Sequence, residues 1–250
     1  MSEKVMFRNG VVTVALSALF ASSALAGTAP GPAAPRCSAR TQPLTGSTRV
    51  AFAATALRPT RVHVRPGGRV IARFGLTNAN GARTVFGVLG ERVEASCRVA
   101  WLHVELPMRP NQSAGWIRAA DVVRRAVHTR IAVDLSELRV RVYRYGRLVL
   151  SAPAAVGSSA TPTPRGRYYV NQRLVPSDPG GPFGPGAVGL SAFSPVLTGW
   201  TQGGPVAIHG TNEPWSIGHR VSNGCIRVPN PLLVRLFRLA VTGTPVVITR

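Results

Sequence analysis

A mainly β protein is the fold class this sequence predicts, on three observations. Short apolar runs alternate with polar residues over much of the chain from residue 58 onward, the period-2 signature of strands with one buried face. Gly, Pro, Asn and Ser punctuate those runs where turns are needed. A helical period appears near the end, where Leu232, Leu233, Leu236, Phe237 and Ala240 fall on one stripe. The 250 residues allow one or two domains, each with its own core.

The chain opens differently. Lys4 and Arg8 precede an apolar run from Val11 to Ala26 that closes Ala24-Leu25-Ala26. A positive start, an apolar centre of this length and an A-x-A end predict a secretory signal peptide over residues 1–26. The run is short for a membrane span and contains Ser and Thr, so no stable membrane insertion is expected once it is cleaved. The expected location is extracytoplasmic, in the cell wall or periplasm. Removing Lys4, Arg8 and Glu3 from 30 basic and 9 acidic residues leaves 28 and 8, a net charge of +20. Lys4 is the only lysine, so the mature positive charge is all arginine. The arginines are spread along the chain rather than gathered on one run, which argues against a nucleic-acid partner. Anionic cell-wall polymers are the partners such a charge favours.

Residues 27–57, rich in Ala, Pro, Gly, Ser and Thr, predict a flexible linker. Residues 58–124 then carry strand-like runs such as Val62-His63-Val64, Arg69 to Ala72, Thr84 to Phe86 and Trp101 to Leu106. The close of this unit, W-L-H-V-E-L-P-M-R-P-N-Q-S-A-G-W-I-R from Trp101, resembles the last strands of a bacterial SH3-like barrel. In such a barrel Trp101 and Trp116 either fill the core or bind a ligand, and core filling is the expectation. Cys37 and Cys97 have two readings, a disulfide tying the linker to this barrel or two separate thiols, because spacing alone does not decide connectivity.

From residue 128 a second unit begins. Ile131, Val133 and Leu135 alternate, Ser136-Glu137 turns the chain, and Tyr145-Gly146-Arg147 turns it again before Leu148-Val149-Leu150, all hairpin signals. Val175 to Gly204 is dense in Gly and Pro, and predicts a long loop walling or covering a substrate groove, with Phe183 and Trp200 as candidate contacts. Pro229-Asn230-Pro231 opens the helix, Gly243 ends it, and Val246-Val247-Ile248 supplies a last strand.

The chemistry concentrates between Val206 and Val228. His209 closes one apolar run and Cys225 opens the next, across a loop rich in Gly, Asn and Ser that lets the two side chains meet. Cysteine attacks as the thiolate, and a nearby imidazole is the usual means of making one. The expectation is therefore a Cys225 pKa below about 8.5. Arg227, two positions on, shares the strand face of Cys225 and is placed to favour the thiolate and hold a carboxylate. His209, His219 and Cys225 are zinc-ligand types, but the paired spacings of zinc sites are missing. No metal or organic cofactor is expected.

The order H-G-T-N-E-P followed by S-N-G-C-I-R resembles the L,D-transpeptidase (YkuD-type) catalytic domain of bacterial cell-wall enzymes. Ile131 to Ser136 and T-P-T-P-R-G-R-Y from Thr161 resemble that domain's opening, so the likeness covers residues 128–250. Many members read S-H-G-C where this chain has Ser222-Asn223-Gly224-Cys225. The resemblance implies a mainly β chain in which a small SH3-like barrel precedes a β-rich YkuD-like domain with one helix near its C-terminus. It implies Cys225 as nucleophile, His209 as general base and Gly210 orienting the imidazole through its carbonyl. Ser222, Asn223, Gly224 and Arg227 would contact substrate, and backbone N–H groups around Gly224 and Cys225 would form the oxyanion hole. The implied reaction forms 3-3 cross-links between peptidoglycan stem peptides, or attaches proteins to them, through a Cys225 thioester with release of D-Ala. An L,D-carboxypeptidase and a non-catalytic wall-binding protein remain as alternatives.

Overall fold

A computed structural model describes residues 36–44 and 46–250. The expected signal peptide and the first part of the expected linker lie outside the described residues. Eight strands form an N-terminal sheet: β1 (Arg40–Pro43), β2 (Ala51–Ala56), β3 (Thr60–His63), β4 (Val70–Phe74), β5 (Val85–Val93), β6 (Val99–Glu105), β7 (Ala114–Arg118) and β8 (Val122–Val127). Their order is β4-β3-β7-β6-β5-β2-β8, with β1 paired to β5. Phe86, Leu102, Leu106 and Ile117, all but inaccessible to solvent, fill its core. Trp101 is buried edge-on to His63, while Trp116 is only half buried and stacks on His103.

The linker expectation fails from Arg40 onward. β2 pairs with both β5 and β8, and β1 pairs with β5. The Ala-rich composition that suggested flexibility reflects tight packing instead: a Cβ placed on Gly243 would come within 2.1 Å of the Ala53 methyl. Cys37 and Cys97 form a disulfide, which fastens the start of the described chain to the turn between β5 and β6.

One residue, His128, separates β8 from the second sheet. That sheet contains β9 (Thr129–Asp134), β10 (Arg139–Arg144), β11 (Arg147–Pro153), β13 (Gly166–Leu174), β14 (Ala187–Phe193), β15 (Pro205–His209), β17 (Ile226–Arg227) and β18 (Pro245–Thr249). The short β12 (Val156–Gly157) and β16 (Arg220–Ser222) pair with each other, and α1 (Asn230–Leu239) is the α-helix of the described residues. The sheet order is β11-β10-β9-β18-β13-β14-β15-β17. Local chemistry explains the hairpins. Asp134 Oδ1 accepts from the backbone N–H groups of Ser136 and Glu137 and so turns β9 into β10. Tyr145 and Gly146 both take positive φ, the two-residue turn that matches strand twist, between β10 and β11. The helix buries Leu233 and Leu236 against the sheet.

The expected loop from Val175 to Gly204 contains β14, and this is a correction. A-V-G-L-S-A-F shows no alternation because six of its seven residues are buried on both faces. Small residues suit that doubly covered position, and they made the strand look like loop.

The two sheets meet through specific side-chain bonds. Tyr169 Oη donates to the Val85 carbonyl, Ser191 Oγ donates to Glu105 Oε1, and Asn111 both donates to and accepts from the Phe193 backbone. No helix among the described residues is long and apolar enough to cross a membrane.

Candidate active site

β15 and β17 run parallel, with Ile208 opposite Ile226 and His209 opposite Arg227. Side chains alternate across a sheet, so Ile208, Ile226 and Val228 point into the core while Ala207, His209, Cys225 and Arg227 share the other face. Cys225 immediately precedes β17, so His209 and Cys225 are diagonal neighbours where β15 ends and β17 begins, within reach for an aromatic side chain. The apolar runs on either side of the loop are what enforce this, since a one-residue slip would turn His209 into the apolar core and Ile208 out of it.

The imidazole is held from two sides. Its Nδ1 lies 2.6 Å from the Gly210 carbonyl, and a carbonyl only accepts, so Nδ1 carries the hydrogen and Nε2 keeps its lone pair. Phe183 packs edge-on against the ring at 5.0 Å between centroids. Gly210 has no room for a side chain, because a Cβ there would meet Asn230 Oδ1 at 2.3 Å. That same Asn230 accepts from Thr211 N–H and donates to the Thr211 carbonyl, pinning the H-G-T turn to the start of α1.

The cysteine loop is braced as firmly. Ser222 Oγ accepts from Gly224 N–H and donates to the Cys225 carbonyl, closing the turn on itself. Gly224 has φ +111°, a backbone state open to glycine and strained for other residues. Thr161 Oγ1 donates to the Ser222 carbonyl, and Thr163 Oγ1 donates to the Gly224 carbonyl while accepting from Gly157 N–H. The T-P-T-P segment is thus a strap behind the loop. Its partner Gly157 is obligatory, since a Cβ there would sit 2.3 Å from the Thr161 carbonyl oxygen.

Burial sets the electrostatics. It lowers the His209 pKa to about 4, against a smaller opposing effect of the Gly210 hydrogen bond and with a further lowering from Arg227. Burial also pushes the Cys225 thiol up, partly offset by the Ala207 N–H and by Arg227. Cys225 keeps some accessible surface, yet enough protein surrounds the sulfur for burial to dominate its titration. The expected thiolate–imidazolium pair is corrected here: at neutral pH the resting site holds a neutral thiol and a neutral imidazole.

Of the sequence candidates, the structure brings together Cys225, His209, Gly210, Arg227, Ser222 and Gly224. Asn223 is exposed at the turn. The buried Ser222 and the Gly224 N–H serve the loop itself. Arg227 is opposite His209, on the face its spacing from Cys225 suggested, but its Nη1 is ion-paired to Glu213. Its buried Nε makes no hydrogen bond. His219 takes part through its backbone, whose carbonyl accepts from Val156 N–H. Trp200 is exposed. Sequence reasoning missed Asn230, Glu213 and the threonine strap as site residues. Glu213 offered a signal, as one of only nine acidic residues and the one within the histidine motif. Among the described residues no group of three or more His, Cys, Asp or Glu is gathered to hold a metal ion.

Comparison with known proteins adds the family. Residues 128–248 match the model of the L,D-transpeptidase catalytic domain, YkuD. A Bacillus licheniformis protein named as an L,D-transpeptidase, YkuD, is 42% identical over 120 residues, which are 48% of this chain and 65% of that protein. Its Bacillus subtilis counterpart is 37% identical over the same shares. The catalytic domain of an L,D-transpeptidase from Enterococcus faecium overlays on 48% of this chain and 96% of that one, with 25% identity and a TM-score of 0.36. The chain spans 65% of the length of the two Bacillus relatives. By sequence, the part of the chain that carries His209 and Cys225, residues 128–248, is similar to the YkuD-type L,D-transpeptidase catalytic domain.

Proposed function

We propose that this protein is an exported, cysteine-dependent L,D-transpeptidase that joins peptidoglycan stem peptides through a Cys225 thioester. One observation carries the reading: His209, fixed as the Nδ1–H tautomer by Gly210, keeps the Nε2 lone pair open on the face it shares with Cys225. A neutral imidazole beside a neutral thiol is the starting state for general-base activation. As Cys225 Sγ bonds to the carbonyl carbon on the diaminopimelate side of the stem's last peptide bond, its proton passes to Nε2. The C–N bond then breaks, Nε2–H protonates the departing D-Ala amine, and the thioester remains. An amine from a second stem attacks that carbonyl and gives its proton to Nε2; the C–S bond breaks and the sulfur takes the proton back.

The oxyanion needs donors during both attacks. Gly224 N–H is engaged by Ser222 Oγ, so the expected pair is revised and the Cys225 N–H takes the role. Arg227, opposite His209, anchors a stem carboxylate, and its charge makes a thiolate formed beside it cheaper. Export is supported by the Lys4/Arg8 and A-L-A pattern and by the Cys37–Cys97 disulfide, a bond characteristic of oxidising compartments. The N-terminal sheet is assigned as SH3-like on its W-L-H-V and G-W-I-R strands.

The test is mass spectrometry of the protein incubated with a tetrapeptide stem. The expected result is a Cys225 peptide heavier by the tripeptide acyl group, free D-Ala and cross-linked dimer. Dimer formation by Cys225→Ala would overturn the reading, and tripeptide without dimer would make the protein a carboxypeptidase.

A further inference from the structure

Between the two sheets lies a cavity of about 510 Å³ that the reaction does not use. Its floor is the outer face of β9, β18 and β13. Arg167 pairs with Val247 across β13 and β18, and Val247 pairs with Ala132 across β18 and β9. Arg130, two residues from Ala132, shares that face, so the two arginines flank an apolar strip on β18. Leu44, Phe52 and Leu89 of the N-terminal sheet form the opposite side, and buried Glu105 stands at the wall. Neither Arg130 nor Arg167 takes part in the four ion pairs of the described residues. His209 and Cys225 do not line this space.

Two arginines that line a largely apolar space of small-molecule size, neither in an ion pair with a carboxylate, make an anion site with a hydrophobic complement. Carboxylate is the best match, since the planar guanidinium binds it with two parallel hydrogen bonds. A dianionic phosphate would meet Glu105 at the wall without using the apolar lining. We propose that this cavity binds a small carboxylate with a short apolar body, about the size of a blocked dipeptide, its charge held between Arg130 and Arg167.

Glu105 gives the site a signature. Burial raises its pKa to about 7, against smaller effects of the Ser191 hydrogen bond and the Arg167 charge. The other groups facing it change little between pH 6 and 8. Arg130 and Arg167 stay charged. Burial pushes Tyr168 up to about 12 and Tyr169 well above the ordinary phenol, while His103, two residues along β6, is lowered. Protonated Glu105 does not repel a bound carboxylate and donates a hydrogen bond to it, so binding is strong below pH 7 and lost as pH rises through it. If only that form binds, affinity at pH 8 is about tenfold weaker than at pH 6.

Calorimetric titration of the full chain with N-acetyl-L-alanyl-L-alanine tests this, with the C-terminal amide of the same peptide and inorganic phosphate as comparisons. Saturable binding at one site is expected, weakened about tenfold or more in the amide and in Arg167→Gln, whose side chain is exposed and outside any core. The pH 6-to-8 loss should vanish in Glu105→Gln; should that variant fail to fold, the wild-type pH dependence alone decides. Absence of saturation, equal binding of phosphate, indifference to Arg167→Gln or a flat wild-type pH profile would each overturn the proposal. Loss of binding in Cys225→Ala would place the peptide in the catalytic cleft instead, also overturning it while leaving the transpeptidase reading intact.

Discussion

His209 and Glu105 are buried to nearly the same degree, 4% and 6% exposed, one on the strand next to the edge of the C-terminal sheet and one at the seam between sheets. Burial penalises the charged form in both and so moves their pKa values in opposite directions, the imidazole down to about 4 and the carboxyl up to about 7. The same physical cause yields a base that is free to accept a proton and an acid that retains one. What separates them is the partner. Gly210 fixes which nitrogen of His209 is open, whereas Ser191 donates to Glu105 and only partly offsets the burial that raises it.

The contrast is broken most directly at His209. His209→Ala should slow thioester formation by about 10²–10⁴-fold, the usual share of a positioned general base. Single-turnover mass spectrometry on a stem peptide measures it; a loss under tenfold would mean that the tautomer fixed by Gly210 is not used. Removing the disulfide comes next. Closing a loop with 60 residues of sequence separation is worth about 4 kcal/mol, so Cys37→Ala with Cys97→Ala should lower the melting temperature by roughly 8–16 °C. Acyl transfer at permissive temperature should persist, because that bridge touches the N-terminal sheet and not the cysteine loop.

The strap tests whether the site depends on its own backing. Thr163→Val leaves Gly157 N–H and the Gly224 carbonyl without their buried partner, a cost of about 1–3 kcal/mol for each orphaned group. Thr163→Ser keeps the hydroxyl and should restore both stability and rate, which a purely volumetric effect would not.

Stability against pH sharpens the comparison itself. His209 has a folded pKa below its unfolded value, so its contribution is present above about pH 6.5 and lost as pH falls toward 4. Glu105 has a folded pKa above its unfolded value, so its contribution is present below about pH 4.5 and lost as pH rises toward 7. Between those limits the two slopes oppose each other, each at most about 1.4 kcal/mol per pH unit. Chemical denaturation of Glu105→Gln should therefore show stability rising from pH 4.5 to 6.5 more steeply than in the wild type. His209→Gln should show the reverse trend.

The smallest effect is expected at the ion pair. Glu213 is partly exposed, so Glu213→Gln should cost well under about 1 kcal/mol in stability. Arg227→Lys should reduce acyl transfer by about tenfold, because lysine cannot offer a planar pair of donors to a carboxylate. Unchanged kinetics in Arg227→Lys would remove the carboxylate-anchoring role.

Much of the site was legible because its signals are local. The two apolar runs that place His209 and Cys225 on one face are periodic, and the turn glycines stand where positive φ or close approach demands them. Where the reading failed, small residues misled it. Ala51 to Ala56 suggested a linker and Ala187 to Phe193 a loop, although both are strands with little space around them. The thiolate expectation failed for another reason: a sequence names the neighbours of a titratable group but not how much protein surrounds it.

The sequence by itself determined the mainly β class and the terminal helix, marked residue 128 where one sheet gives way to the next, and singled out His209 and Cys225. These follow from side-chain period, turn chemistry and motif spacing, which act over a few residues. Tertiary structure alone decided that Thr161 and Thr163 strap the cysteine loop, that Glu213 holds Arg227, that Cys37 meets Cys97 and that Glu105 titrates near neutrality. Each of these depends on atoms distant in sequence brought together in a medium that excludes water. Desolvation and hydrogen-bond satisfaction are properties of that enclosure, not of any stretch of chain.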